Sequence, residues 1–568
     1  MPLADSGAPP YSLDDLRAAP FPERMRLISR TWAEQIGATP LVVVGMYWVK
    51  YLFLFAGGWA FFCSFSEGYP GFTSIEAWAF SGLAFQKAIL WALFYESAGF
   101  GCSSGPMNGR FWPPLGGFLH FLRPGTTKLP LFAGISILGG TRRTWLDIAL
   151  YAAYMLLLLR ALVAPELTMA LLLPSFLLIP LLGVTDKTLF LAARAEHFWI
   201  VLACLTFAGA DDLWVSGSKI VWCSVWFWAA TSKLNHHFPS VIMVMMNQGP
   251  FFPKCLKKRL FVSFPDDLRP SKIATRMAHL GTVTEVMIPI ALLSSESALL
   301  TGLVLLVMCG FHGFIALNNP SGMPVEWNLV MIYGGIFLFG FNPGASVLAL
   351  GELPLLVAFL AFFLVAIPLY GNFVPKNVSF LMAMRYYAGN WAYNIWFFRG
   401  DSQKKLNRLT KAALTMREQL AGMLDDEEAV DTAMIMMPVM RLMHLQGKVL
   451  HEAIPKALDH IEDYEWMEGE VVGGLALGWN FGDGHLNDMQ LLQAIQEQCE
   501  FEEGELRVVM VESQPLFGRT MAWKAVDAAT GLIAEGEVEV ASLRELQAWP
   551  MGEAAEAFMG GARDPESA

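Results

Sequence analysis

The sequence predicts a polytopic α-helical membrane bundle of about ten spans, followed by a soluble α+β C-terminal domain. Of its 568 residues, 55% are hydrophobic and only 16% are charged, a balance too apolar for an ordinary soluble protein. Charge is also divided unevenly. Residues 411–568 contain 30 acidic and 10 basic side chains, whereas the preceding part contains 21 and 29. An acidic tail behind a basic-flanked membrane part argues against nucleic-acid binding.

Residues 1–40 form an amphipathic N-terminal segment. Arg17, Arg24, Arg26 and Arg30 are interspersed there with Leu, Ile, Met and Trp side chains. A basic amphipathic helix commonly lies on an anionic membrane surface. A short solvated helix explains the same pattern, so the sequence leaves both interpretations open.

The transmembrane helical domain is predicted over residues 41–370. A span needs about 20 apolar residues. Suitable runs occur at 41–65, 76–95, 146–164, 167–184, 198–214, 217–235, 279–296, 299–317, 327–343 and 353–370. The loops alternate between basic and acidic, and positive residues stay in the cytoplasm. This alternation predicts that both termini are cytoplasmic.

Residues 371–400 are predicted to form an interfacial aromatic helix, because 380–398 (FLMAMRYYAGNWAYNIWFF) are dense in Tyr and Trp. Residues 401–568 follow as an acidic cytoplasmic α+β domain. Strands are expected at 469–479 and 505–513, with a hairpin around 527–531. Helices are expected at 406–424, 434–464 and 490–498.

The first candidate site lies where an apolar, Trp-rich run ends in Lys233, Asn235, His236 and His237. Ionisable side chains at membrane depth are costly, so they commonly mark a functional site. A buried lysine can act as a base, and histidines can transfer protons near neutral pH. Lys233 also lies near the end of its span, where its side chain could simply extend to the membrane surface.

A second group of polar residues is expected to line the same cytoplasm-facing vestibule. His312 lies on the eighth predicted span, ahead of a break rich in Gly and Pro, and backbone breaks at membrane depth are tolerated where they line a cavity. A purely structural turn is the alternative. The remaining candidates of this group are His279, Glu285, Asn318, Asn319 and Glu326.

A third polar cluster contains Asp186, Lys187, Arg194, Glu196 and His197, and we interpret it as a solvated network of salt bridges. The chain contains no phosphate-binding GxxxxGK[ST], no GxGxxG after a strand, no HExxH and no repeated histidine boxes. No spacing therefore indicates a metal site, and the cofactor is left unknown.

The stretch Ala229-Ala230-Thr231-Ser232-Lys233-Leu234, followed by His312 and Gly322-Met323-Pro324, resembles the core of the vitamin K-dependent carboxylase-like membrane superfamily. The resemblance covers about residues 200–345. It implies that Lys233 is a base acting on a quinol and that His312 is its partner. The lumenal domain and the disulfide of the true carboxylase are missing, so carboxylation itself is not implied.

Over almost its full length the chain resembles a bacterial family of multi-pass membrane proteins with no assigned function. The motifs that carry this resemblance include GRFWPP, LRPGTTKLP, DKTLFLAAR, GMPVEWN and ALGWNFGDGH. It implies a location in the bacterial inner membrane and supports the architecture, while leaving the activity open.

These features favour an integral membrane protein that binds or modifies a lipid or quinone-like substrate in the vestibule. As an enzyme, it would use Lys233 as the base and His312 as the proton partner. A non-enzymatic lipid binder or transporter would use the same vestibule without chemistry. A membrane scaffold would instead recruit a soluble protein partner through the acidic tail. Membrane lipids are expected partners in every case.

Overall fold

The computed structural model describes residues 11–36, 45, 48–101, 116–132, 140–209, 213–318, 325–386, 388–412, 414–422, 424, 426–436 and 439–559. Most of these residues are helical. The helices are α1 Leu13–Ala18, α2 Phe21–Thr31, α3 Lys50–Cys63, α4 Ile75–Trp78, α5 Gly82–Ser97, α6 Gly116–Phe121, α7 Trp145–Leu162, α8 Met169–Thr185, α9 Lys187–Ala192, α10 Phe198–Phe207, α11 Leu213–Ser232, α12 Phe238–Gln248, α13 Lys254–Lys258, α14 Lys272–Ser294, α15 Ala298–Asn318, α16 Val325–Phe341, α17 Pro354–Phe373, α18 Met416–Ala421, α19 Glu427–Met436, α20 Val439–Leu442, α21 Leu445–Ala457, α22 Gly469–Leu477, α23 Met489–Cys499, α24 Val540–Leu543 and α25 Glu553–Met559.

The described residues contain seven strands, which form two sheets. The strands are β1 Phe261–Ser263, β2 Asp267–Pro270, β3 Tyr393–Arg399, β4 Tyr464–Glu468, β5 Leu506–Val511, β6 Thr520–Asp527 and β7 Gly531–Glu539. The first two pair as a small hairpin before α14, and the other five form an antiparallel sheet of order β4-β3-β5-β6-β7. The predicted hairpin around 527–531 is the connection between β6 and β7.

Four helices in the described part of the chain are long and apolar enough to cross a membrane: α7, α14, α15 and α17. Four shorter apolar helices, α3, α8, α10 and α16, accompany them. Helix lengths therefore support a membrane bundle but do not establish ten spans, since α10 has only 10 residues.

The spanning helices begin at residues suited to the position. Thr144 and Asp147 form a reciprocal capping box at the start of α7. Ser271 accepts hydrogen bonds from the Ile273 and Ala274 amides at the start of α14. These polar caps fix where each apolar helix starts, and in α14 this determines which residues face the site described below.

The C-terminal sheet is buried on both faces. On one face, Trp396 and Phe398 of β3 join the core of the helical bundle, which includes Trp222 and Trp226 of α11. On the other face, alternate residues of the same strand pack with α2, α12 and α21. The tail is therefore packed directly against the membrane helices.

This two-sided burial corrects the prediction of an interfacial aromatic helix. Residues 393–399 form strand β3, which pairs with both β4 and β5. A strand buried on both faces has no polar alternation, so its aromatic density resembles that of a membrane-interface segment. The strand predicted at 469–479 is also wrong, because helix α22 occupies residues 469–477.

The N-terminal helices pack onto the tail. Phe21 contacts Trp466 with ring centroids 6.3 Å apart, and Arg17 forms a 2.5 Å ion pair with Asp431. The apolar face of α2 is buried in the same core as α21. The helix is amphipathic as predicted, but protein covers its apolar face.

Candidate functional site

A cavity of about 270 Å³ lies between α12, α14 and α15. Its walls are mostly apolar, with contributions from Phe238 and Ile242 of α12, Met277 and Leu280 of α14, and Phe314 of α15. Leu280 lines the cavity and is also 68% exposed. The cavity therefore opens beside Leu280 of α14.

One buried ion pair supplies the charged groups of this cavity. Lys233 donates a hydrogen bond from Nζ to Oε2 of Glu285, and the two side chains are 4% and 5% exposed. The ammonium group also lies 5.3 Å from the centre of the Phe238 ring. Lys233 therefore points into the protein, and its side chain does not extend to the membrane surface.

The local backbone explains why Lys233 points inward. The Lys233 amide donates a 3.0 Å hydrogen bond to the Ala230 carbonyl at the end of α11. The chain then turns at Asn235, whose side-chain oxygen accepts a 2.7 Å hydrogen bond from the His237 amide. Helix α12 begins directly after this turn, at Phe238. Lys233 therefore lies at the junction of α11 and α12, with its side chain directed into the protein.

His312 lines the cavity, but both of its ring nitrogens are already used. The Trp226 indole donates a 2.9 Å hydrogen bond to Nε2. Nδ1 lies 2.8 Å from the side-chain oxygen of Asn328. An indole N–H can only donate and an amide oxygen can only accept, so His312 is the neutral tautomer with its proton on Nδ1.

Trp327 and Tyr386, which were not among the predicted site residues, complete the inner wall. Both connect the cavity to a second polar network. The Trp327 indole donates a 3.0 Å hydrogen bond to Nε2 of His197, and the Tyr386 hydroxyl donates a 2.8 Å hydrogen bond to Glu196. Arg194 donates a 2.9 Å hydrogen bond to the same carboxylate.

This second network corrects the interpretation of the third cluster as solvated. Asp186, Arg194, Glu196 and His197 are all 0–2% exposed. Arg143 pairs with Asp186 at 2.7 Å. These charged side chains are buried and paired within the protein. Such pairing offsets the cost of removing ions from water.

Glu326 lies outside the cavity. It forms a hydrogen bond with the buried Glu96 of α5. Glu326 therefore belongs to a buried carboxyl pair and does not line the cavity.

The other predicted site residues also lie outside the cavity. His236 and His279 are exposed, and the Asn318 amide donates a 2.9 Å hydrogen bond to the Phe314 carbonyl within its own helix. Asn319 lies outside the described residues. The structure thus brings together Lys233, Glu285 and His312, and separates them from Asn235, His236, His237, His279, Asn318 and Glu326.

His237 faces the tail. Its Nε2 lies 2.9 Å from the side-chain oxygen of Gln514, in the loop after β5. Burial lowers the pKa of His237 to about 4, so the ring is neutral at physiological pH. His237 therefore helps to join the bundle to the tail.

A separate charged cluster in the tail surrounds His485. Its Nε2 lies 3.0 Å from Glu512 Oε1, and its Nδ1 lies 3.5 Å from Asp483 Oδ1. Burial opposes the charged imidazolium, but the hydrogen bonds to Asp483 and Glu512 outweigh it and raise the pKa of His485 to about 10. His485 is therefore a cation at neutral pH.

The fold and the site define an integral membrane protein with an open, mostly apolar cavity that contains one buried ion pair. The chain belongs to a family of transmembrane proteins of unknown function, DUF3556, whose family model matches residues 1–557. No curated protein and no solved structure matches the chain significantly. The prediction of an uncharacterised membrane family is confirmed, whereas the carboxylase-like resemblance gains no support from these comparisons.

Proposed function

We propose that the protein binds a lipid-like or quinone-like molecule in this cavity. The observation that carries the proposal is a buried ion pair with unused hydrogen-bonding capacity beside apolar walls. An ammonium group has three donors and a carboxylate has about four acceptor sites. Within the described part of the chain, the Lys233–Glu285 contact is the single hydrogen bond of either side chain. A polar group of the ligand can form hydrogen bonds with the donors and acceptors that are not used.

The size of the cavity limits the ligand. Pockets for complete small molecules occupy about 300–1,000 Å³, and this cavity holds about 270 Å³. One apolar chain fits, while a molecule with two chains would leave the second in the bilayer. The opening beside Leu280 allows this arrangement.

The geometry favours binding over base catalysis by Lys233. An ammonium group paired with a carboxylate has no lone pair with which to take up a proton. His312 has no ring nitrogen available, because Trp226 and Asn328 use both. Non-enzymatic binding or transport therefore agrees better with this geometry than the role of Lys233 as a base.

The test uses the full-length protein in nanodiscs containing phosphatidylcholine with a diazirine in one acyl chain. Photolabelled residues are mapped by mass spectrometry. We expect labelling of Phe238 and Ile242 inside the cavity, in addition to the lipid-facing surface. Labelling confined to exposed positions such as Leu306 would overturn the proposal.

A matched pair of variants makes the test specific. Gly281 lines the cavity, with free space beyond a contact of 3.8 Å to Phe238, so Gly281→Leu places a side chain in the cavity. Gly302 has nothing within 4 Å of an added Cβ, and Gly302→Leu is the control. Cavity labelling should be lost in the first variant and retained in the second. Equal labelling in both would show that the cavity is not the binding site.

A further inference from the structure

The exposed face of α14 changes character along its length. Its first two turns present basic side chains, and the following turns present apolar side chains. Residues spaced three or four apart lie on one face of a helix. The exposed stripe consists of Lys272, Arg276 and His279, followed by Val283, Met287 and Ile290.

This change locates the membrane surface. Basic side chains favour the headgroup region, and exposed apolar side chains favour the hydrocarbon region. The boundary therefore falls between His279 and Val283. Glu285 is six residues beyond His279, which places the Lys233–Glu285 pair about 9 Å deeper along the helix axis.

The basic stripe adjoins the opening of the cavity. Leu280 directly follows His279, and Met277, which lines the cavity, directly follows Arg276. A molecule whose polar end contacts the stripe can therefore insert a chain beside Leu280 without crossing another helix.

The cations of the stripe are not neutralised by the described part of the protein. Lys272 and Arg276 have no ion-pair partner there, and the nearby acids are engaged elsewhere: Asp266 pairs with Arg30 at 3.3 Å and Asp267 with Arg269 at 2.7 Å. The neighbouring segment adds further exposed cations, Lys254, Lys258 and Arg259. The opening of the cavity thus carries an uncompensated positive charge.

We infer that the ligand is an anionic membrane lipid, with its headgroup on the Lys272–Arg276–His279 stripe and one acyl chain in the cavity. The inference rests on the proposed function. It adds the charge of the headgroup, the opening through which the chain enters, and the residues that select the lipid. The oxygen atoms that link the chain to the headgroup lie below the headgroup, toward Lys233 and Glu285.

The test compares two diazirine lipids, phosphatidylglycerol and phosphatidylcholine, each as a small fraction of the lipid in nanodiscs of the full-length protein. The readout is the ratio of cavity labelling by the anionic probe to labelling by the zwitterionic probe. Each cation near an anionic headgroup favours binding about fivefold. We expect a wild-type ratio of about five or more, falling toward one as the ionic strength rises.

The decisive variant is Lys272→Gln/Arg276→Gln, with Lys404→Gln/Lys456→Gln as a control that removes the same charge from exposed positions in the tail. The ratio should fall about fivefold or more in the first variant and stay at the wild-type value in the second. Lys272→Arg/Arg276→Lys should restore it. A ratio of about one in the wild type, or an equal fall in both variants, would overturn the inference.

Two further outcomes separate the possible failures. If neither probe labels the cavity, the proposed function itself fails. If phosphatidylcholine labels it as strongly as phosphatidylglycerol, only the inference about charge fails. Excess soluble glycerol phosphate should not compete with the anionic probe. Full competition would show that the stripe binds free phosphate esters, and it would also overturn the inference.

Discussion

Replacing Lys233 with methionine should destabilise the protein strongly, because Glu285 would remain buried without its partner. Both side chains are at least 95% buried, so solvent does not screen their interaction. Removing one member of such a pair costs about 3–5 kcal/mol. Replacing both members with apolar residues of similar volume is often close to neutral. The double variant Lys233→Met/Glu285→Leu should therefore be more stable than either single variant.

The measurement is a double-mutant cycle of unfolding free energies for the full-length protein in mild detergent. Methionine and leucine fill the space of the original side chains, so the cycle isolates the charge interaction. The matched control is the exposed pair of Lys404 and Asp401, which are 2.7 Å apart with side chains 73% and 84% exposed. No measurable coupling is expected for that pair. Single Lys233 and Glu285 variants that each cost less than about 1 kcal/mol, with additive effects, would refute the buried pair.

Two other predictions test the packing and the tail. Gly334→Ala should lower the free energy of unfolding by about 1–3 kcal/mol, because an added Cβ would lie 2.3 Å from the Trp222 ring. Gly302→Ala should be neutral or slightly stabilising, because an added Cβ there has nothing within 4 Å. Similar melting temperatures for the two variants would contradict the tight contact of α16 with α11. For His485, burial lowers the pKa, but the interactions with Asp483 and Glu512 outweigh it and raise the pKa from 6.5 to about 10. The stabilisation by His485 is therefore full below about pH 6.5 and is lost as pH rises through about 10. Thermal unfolding of wild type and His485→Gln should therefore converge at high pH, and a constant difference from pH 6 to 10 would contradict the charged state.

The bundle and part of the site could be predicted from the sequence, because polar groups are costly among apolar ones and therefore indicate a site where they occur. That cost applies to Lys233, Glu285 and His312 alike, and the structure places all three around one cavity. The aromatic wall residues Trp327 and Tyr386 carry no comparable signal. In a chain with 13% aromatic residues, only their contacts distinguish them from packing side chains.

The errors in the tail share a physical origin. Sequence periodicity reports which faces of an element meet water, and β3 meets water on neither face. Its alternation is hidden because Trp396 packs with the bundle while Ile395 packs with the opposite core. The same reasoning explains Arg194 and Glu196, whose charges suggested solvent exposure. Their burial depends on each other and on Tyr386, which is distant in sequence.

The hydrogen bonds around the cavity also constrain any chemistry that the protein performs. For His312 to accept a proton, Nε2 would have to lose the hydrogen bond from Trp226, leaving a buried indole N–H unpaired at a cost of about 1–3 kcal/mol. Lys233, as an ammonium, can donate a proton or stabilise a negative charge but cannot accept a proton. Glu285 lines the cavity and has one hydrogen bond among the described residues, so its carboxylate keeps acceptor sites that are not used. A proton leaving a bound molecule would therefore pass to Glu285, with Lys233 holding the developing negative charge of the ligand, which reverses the roles that the carboxylase-like resemblance implies.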